Sequence, residues 1–433
     1  MILHRPISRR HVLRTGAALT ALSALSPARM AMADPTGDPF VLRAASGQAA
    51  LRPSPYGPTN VWSYNGSVPG PEIRVRQGDR VLVLAQNGLD EGTTIHWHGI
   101  RTPNAMDGVP FLTQDPIPVD GDFLYEFDAL DAGTFWYHPH QRSSEQVGRG
   151  LYGPLIVEEV DPIRVDRDLT WMLDDWRMTR AGQLSDDFDN RHDAMHGGRI
   201  GNSVTINGQI PERIAVQSGE RIRLRLINAA NARIFGLDFG DFEPVVVALD
   251  GQPVTPHAPD GDIVVIGPAM RVDLVIDMTG KPGEVVTVTD AFYEGLEYRL
   301  VDLAYGPDKL RDSVPDWPMD LPPNPLAEPD MASAARHQIV FNGGMMGQMM
   351  MGGGMGSMMG QMREGNMWFI NGEAATGHMM DPLLVLPLGT SHVFEMDNRT
   401  AWHHPIHFHG HSFRVIARNG QPTRYREWQD TVL

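Results

Sequence analysis

The segment "AWHHPIHFHGHSF" (residues 401 to 413) holds five histidines within nine positions, His403 to His411, in a chain of 433 residues that contains no cysteine. Imidazole is a ligand for zinc and copper, so a cluster this dense points to a metal centre. Two further groups share the pattern, His96-Trp97-His98-Gly99 and His138-Pro139-His140. On an extended strand, residues i and i+2 point to one face. His96 therefore converges with His98, and His407 with His409. His404 stands three positions before His407 and falls on the opposite face. This spacing predicts a shared cluster (His96, His98, His138, His140, His407, His409) and a separate single-histidine site at His404. Six converging imidazoles are too many for one tetrahedral zinc ion. They suggest several ions at a seam between domains, with copper the tightest-bound divalent metal of its row. His403 and His411 read as outlying or surface groups. His192, His196, His257, His337, His378 and His392 read as isolated structural residues, and Trp97, Trp136 and Phe408 as core.

The elements that position these groups are legible as a repeat. "WSYNGSVPGPEIRVRQGDRVLVLAQN" (62 to 87), "VTINGQIPERIAVQSGERIRLRLIN" (204 to 228) and "WFINGEAATGHMMDPLLVLPLGTSHVFEMDN" (368 to 398) share one plan. A short apolar run enters Asn-Gly, a polar turn follows, and alternating apolar residues end on an asparagine. Asn-Gly tolerates positive φ and marks a tight turn, and the alternation is that of a half-buried strand. Three copies imply three β-sandwich domains of one type. Nine residues after the closing asparagines stand His96, Leu237 and His407. The outer copies thus carry histidine pairs where the middle copy carries Leu237 and Phe239, which should fill a core. The expected divisions are a leader at 1–33 and domains at 34–160, 161–325 and 326–433.

The formal net charge of −17 argues against nucleic acid or an anionic membrane surface as a partner. After the N-terminus nothing is long and apolar enough to span a bilayer. Ser8-Arg9-Arg10-His11-Val12-Leu13-Arg14 resembles a twin-arginine export signal, followed by a weakly apolar stretch and a small-x-small cleavage pattern, Ala31-Met32-Ala33. A periplasmic metalloprotein is expected. "MMGQMMMGGGMGSMMGQM" (345 to 362) has too much glycine and no helical period, so it reads as a loop. Thioethers favour Cu(I), which makes Met345, Met349, Met351, Met355, Met358 and Met362 candidate cuprous ligands.

"IHWHGI" (95 to 100), "GTFWYHPHQ" (133 to 141) and "HHPIHFHGHSF" (403 to 413) resemble three of the four copper motifs of the multicopper oxidases, the family of laccases, ascorbate oxidase and copper-efflux oxidases. The resemblance extends over nearly all of the chain after the leader, including "DGVPFLTQDPI" (107 to 117) and "GLYGPLIVEE" (150 to 159). It implies an all-β fold of three cupredoxin-like Greek-key sandwiches, the third incomplete. It also implies four coppers: one type 1 that accepts single electrons, and one type 2 and two type 3 that reduce O₂ to water. By motif position, His96 and His407 would serve type 2, His98, His138, His140 and His409 type 3, and His404 type 1. Asp107 matches an acidic residue that helps deliver protons to reduced oxygen. The methionine segment resembles the insertion of copper-efflux oxidases. The implied partners are O₂ and a small reductant, Cu(I) or a phenol, acting on a monomer.

The family's fourth motif, His-Cys-His-x-x-x-His, is absent from these residues. It supplies the type 1 thiolate and completes the type 3 pair. The expectation is that the sequence is a C-terminal truncation whose missing part carries the motif, and that the chain taken literally is not a competent oxidase. Two alternatives stand beside a cuprous oxidase: a laccase-like oxidase of organic substrates, and a non-catalytic periplasmic copper-binding protein.

Overall fold

A computed structural model describes residues 37–344, 367–374 and 381–433, with the backbone of Ala31–Met32. The export-signal motif, the methionine segment 345–362 and His378 lie outside the described residues. Strand makes up 44% of the structure and helix 4%, an all-β chain.

The repeat inferred from sequence is a repeat of backbone hydrogen bonding. In each copy the strand ending on asparagine runs parallel to an earlier strand: Arg80–Gly88 beside Phe40–Ala49, Arg221–Asn228 beside Arg167–Trp176, and His392–Asn398 beside Ala335–Gly343. The strand entering Asn-Gly pairs antiparallel with that same earlier strand. Asn65, Asn207 and Asn371 take φ of 53°, 52° and 52°, the left-handed region that asparagine tolerates. Their side chains make one pattern, accepting from the main chain of Arg43, Met172 and Val340 and donating to the carbonyls of Val41, Thr170 and Gln338.

The closing asparagines form a second matched device. The side-chain oxygens of Asn87, Asn228 and Asn398 accept from the amides of Leu89, Ala230 and Thr400. Their amide groups donate to the carbonyls of Glu91, Arg233 and Trp402. Each asparagine thus fixes the turn that leads to the strand where histidine or leucine stands.

Two sandwiches are filled. In the first, a four-stranded sheet and a five-stranded sheet enclose Leu42, Val83, Trp97, Tyr125, Phe127, Phe135 and Tyr137. In the second, a six-stranded and a five-stranded sheet enclose Leu224, Leu226, Phe235, Leu237, Phe239, Leu274 and Val301. Arg221–Asn228 is buried on both faces. One face is apolar and the other presents Arg223 and Arg225 to Glu159, Asp168 and Asp273, since charges leave water only when paired. The last region differs. Its strands Trp368–Ile370, Ala335–Gly343 and His392–Asn398 form one sheet, with no second sheet over it among the described residues. Beside it a nested hairpin pairs Ile406–His407 with Thr431–Val432, Phe413–Arg414 with Trp428–Gln429, and Ala417–Arg418 with Gln421–Pro422.

Candidate metal centre

Strand His96–His98 pairs antiparallel with Gly133–His138, setting His96 opposite His138 and His98 opposite Trp136. The hairpin of the last region brings His407 and His409 to the same place. The ring of His96 lies 5.6 Å from His98, 5.4 Å from His138, 5.2 Å from His140, 5.8 Å from His407 and 4.0 Å from His409. All six histidines of the sequence-derived cluster therefore meet across the seam between the two ends of the chain. The ligand atoms of His96, His98 and His138 lie within 4.8 Å of one another, as do those of His96, His407 and His409.

Hydrogen bonds to ring nitrogens orient five of the six imidazoles. A carbonyl can only accept, so His96 Nδ1–H donates to the Asp107 carbonyl at 2.8 Å and His407 Nδ1–H to the Asp430 carbonyl at 2.8 Å. Both Nε2 atoms are then buried lone pairs without a hydrogen-bond partner among the described residues. Such orphaned acceptors call for an explanation, and a metal ion supplies one. His138 donates through Nδ1 to the Pro139 carbonyl at 3.0 Å, and its Nε2 faces His98 Nδ1 at 3.5 Å. His409 Nδ1 donates to the Asp107 carboxylate at 2.9 Å, and its ring stands 4.8 Å from His140. The rings interleave across the seam: His96 lies nearest His409 at 4.0 Å, and His98 stacks on His407 at 3.7 Å.

The electrostatics favour ligation. Burial, reinforced by neighbouring imidazoles, lowers His96 to about 4 and His140 to about 3, and places His98 and His138 well below the ordinary histidine range. These rings are neutral at pH 7, the state a metal requires. Burial opposes ionisation of Asp107, yet hydrogen bonds from His409 and His96 hold it far below the carboxylate range. Asp107 is an anion bridging a ring from each end of the chain. The donor set, neutral imidazoles around one carboxylate, fits copper.

His404 stands apart, as its opposite-face position predicts. Its ring packs edge-on to Trp368 at 5.0 Å and over Phe341 at 6.0 Å, with Nε2 at 2.8 Å from Thr400 Oγ1. Trp97 is buried in the first core, and Leu237 and Phe239 in the second. Trp136 is buried and also stacks on His138 at 4.2 Å. Phe408 packs on Phe394 and Phe413. His403 and His411 are exposed.

Two readings need correction. Five of the histidines taken as isolated have partners: His192 stacks on His196 at 4.0 Å, His337 Nε2 meets His392 Nδ1 at 3.0 Å, and His257 pairs with Glu427 at 2.7 Å. The middle region, read from sequence only as an apolar core at Leu237 and Phe239, also reaches the seam. Its Arg271 clasps the carboxylate of Asp430, whose oxygen lies 3.4 Å from His98 Nε2 and 3.4 Å from His407 Nδ1. Asp430, Thr431, Arg271 and Asp250 were missed by sequence reasoning, because nothing in their spacing resembles a ligand motif.

Three family models, each described as multicopper oxidase, match residues 47–161, 167–295 and 355–433. "Multicopper oxidase MmcO" of Mycobacterium tuberculosis is 30% identical over 420 residues, covering 86% of this chain and 75% of that protein. The chain belongs to the multicopper oxidase family. A "Copper resistance protein A homolog" of Pseudomonas syringae pv. tomato is 34% identical over 241 residues, covering 45% of this chain and 41% of that one. The crystal structure of a multi-copper oxidase from Pseudomonas thermotolerans superposes with a TM-score of 0.79 at 32% identity, covering 94% of this chain and 90% of that one. The family implies oxidoreductase chemistry and copper binding. No described helix is long and apolar enough to cross a membrane.

Proposed function

We propose that this chain holds the oxygen-reducing copper centre of an oxidase that couples one-electron oxidation of a small reductant to four-electron reduction of O₂ to water. Cu(I) is the foremost reductant and phenols the second. The observation that carries this reading is the pair of buried, unpartnered Nε2 atoms of His96 and His407, delivered from opposite ends of the chain. In this reading His96 and His407 hold the type 2 ion, and His98, His138, His140 and His409 hold the type 3 pair. His404 serves the type 1 ion. The domains divide as 34–160, 161–325 and 326–433.

Copper, when bound, supplies the one-electron redox chemistry and the site where O₂ is reduced. The residues do the rest. Asp107 orients His96 and His409 and, as an anion beside the cluster, helps guide protons toward reduced oxygen. Trp136 walls His98 and His138 from water. None of the 433 residues is a cysteine, so the thiolate of a blue site is not assigned to them. The methionines of 345–362 gather Cu(I), and the arginine pair Arg9-Arg10 directs export to the periplasm of a monomeric protein.

The test is copper counting with electron paramagnetic resonance on the purified natural product, together with O₂ uptake. A type 2 signal lost in His407→Ala supports the assignment. A wild-type protein without copper at this seam overturns it. Deleting 345–362 should abolish cuprous oxidation and spare phenol oxidation; an unchanged cuprous rate favours the laccase-like alternative. Copper bound without O₂ uptake favours the non-catalytic binder.

A further inference from the structure

Asp430 and Thr431 stand behind His98 and His407 and reach both. Thr431 Oγ1 donates to Asp430 Oδ1 at 2.8 Å, so its lone pairs accept from His98 Nε2–H at 3.1 Å. That bond leaves His98 Nδ1 as the bare nitrogen, the one facing His138. The main-chain carbonyl of Asp430 accepts from His407 Nδ1–H and leaves His407 Nε2 bare. One short segment therefore selects opposite tautomers in two rings that stack 3.7 Å apart.

What holds this segment comes from the middle sandwich. Arg271 is fully buried. Its Nη1 donates to Asp430 Oδ1 at 2.8 Å and its Nη2 to Oδ2 at 2.5 Å, the two-pronged geometry that guanidinium favours. Its remaining N–H groups donate to the carbonyls of Thr134, Ala269 and Asp250. Asp250 Oδ2 accepts from the amides of both Asp430 (3.2 Å) and Thr431 (3.1 Å). With its oxygens taken by Arg271 and Thr431, Asp430 is a brace rather than a ligand.

The glycine of His-Trp-His-Gly belongs to the same device. A Cβ on Gly99 would lie 2.2 Å from Arg271 Nη2 and 2.6 Å from Asp430 Oδ2, and its φ is +88°. Gly410, at the matching place after His409, has nothing within 4 Å. The first copy needs glycine for the close approach of this ion pair.

We infer that Arg271, Asp430, Thr431 and Asp250 form a positioning unit that sets the tautomer and aim of His98 and His407, so that the sandwich without ligands governs copper affinity at the seam. The inference rests on the reading that these imidazoles hold copper. Partners of this kind are worth about 10- to 100-fold in metal affinity. The test uses Thr431→Val, which keeps the side-chain shape, alongside Asp430→Asn. Imidazole ¹⁵N chemical shifts of the copper-free protein report the His98 tautomer, and competition with a chelator reports copper affinity. The expected result in Thr431→Val is a His98 ring no longer held as Nε2–H, with copper affinity lower by about 10-fold or more. Asp430→Asn and Arg271→Met should lower the affinity in the same direction, and Arg271→Lys should retain more of the wild-type affinity than Arg271→Met. A folded Thr431→Val with the wild-type His98 shifts and wild-type affinity overturns the inference. Failure of the wild type to bind copper at all overturns the underlying reading as well, and the two failures are told apart by the wild-type titration.

Discussion

His96-Trp97-His98 and Leu237-Asp238-Phe239 occupy the same place in two copies of one repeat, nine residues beyond a closing asparagine. Asn87 and Asn228 cap the turn alike, and both segments are buried. Yet the first delivers two ring nitrogens to a polar seam, while the second sends Leu237 and Phe239 into a closed apolar core. The scaffold sets the position and the side chain sets the chemistry. The middle copy carries no histidine at this place, yet its polar groups reach the seam from a different strand, Arg271–Asp277, and from the turn residue Asp250.

The largest expected effect comes from erasing the difference. His96→Leu with His98→Phe should remove copper from the seam, read by metal analysis, and leave the thermal transition of the copper-free protein nearly unchanged. The reverse exchange, Leu237→His with Phe239→His, should bind no added copper, because no facing imidazoles stand there. It should cost about 3 kcal/mol or more in denaturant unfolding, since each ring buries polar atoms without partners. Added copper in that variant would mean that position alone makes a site.

A smaller effect is expected at Asp107. Asp107→Asn should keep its copper and slow O₂ reduction by about 10²-fold, the lower range for loss of a proton-transfer group. Full O₂ uptake at saturating reductant would remove Asp107 from that role.

The smallest effects compare the asparagine caps. Asn87 is 1% exposed and donates to the carbonyls of Glu91, Ile117 and Pro118, so Asn87→Ala should cost about 2 to 3 kcal/mol by stranding buried groups. Asn398 is exposed, and Asn398→Ala should cost about 1 kcal/mol or less. Equal costs, measured by chemical denaturation, would show that burial does not decide the value of this cap.

Much of the site was legible because its logic is local. Period-two spacing put His96 and His98 on one face, and His404 on the other side from His407, with no knowledge of the third dimension. The Asn-Gly turns likewise announced the repeat. The positioning unit was not legible, since Arg271 and Asp430 stand 159 positions apart and neither spacing nor composition links them. The half-buried sheet of the last region agrees with the incomplete third sandwich that the resemblance implied, although the residue pattern alone did not give it. "HVFEMDN" alternates as well as "RVLVLAQN" does, but alternation states which face is apolar and not whether another sheet covers it.

The most direct test of the central claim is anomalous X-ray scattering at the copper edge from crystals of the copper-loaded protein. The account predicts copper between His96 and His407, between His98 and His138, and between His140 and His409. Copper found only at outlying pairs such as His192 and His196, with nothing among the six clustered rings, would contradict it.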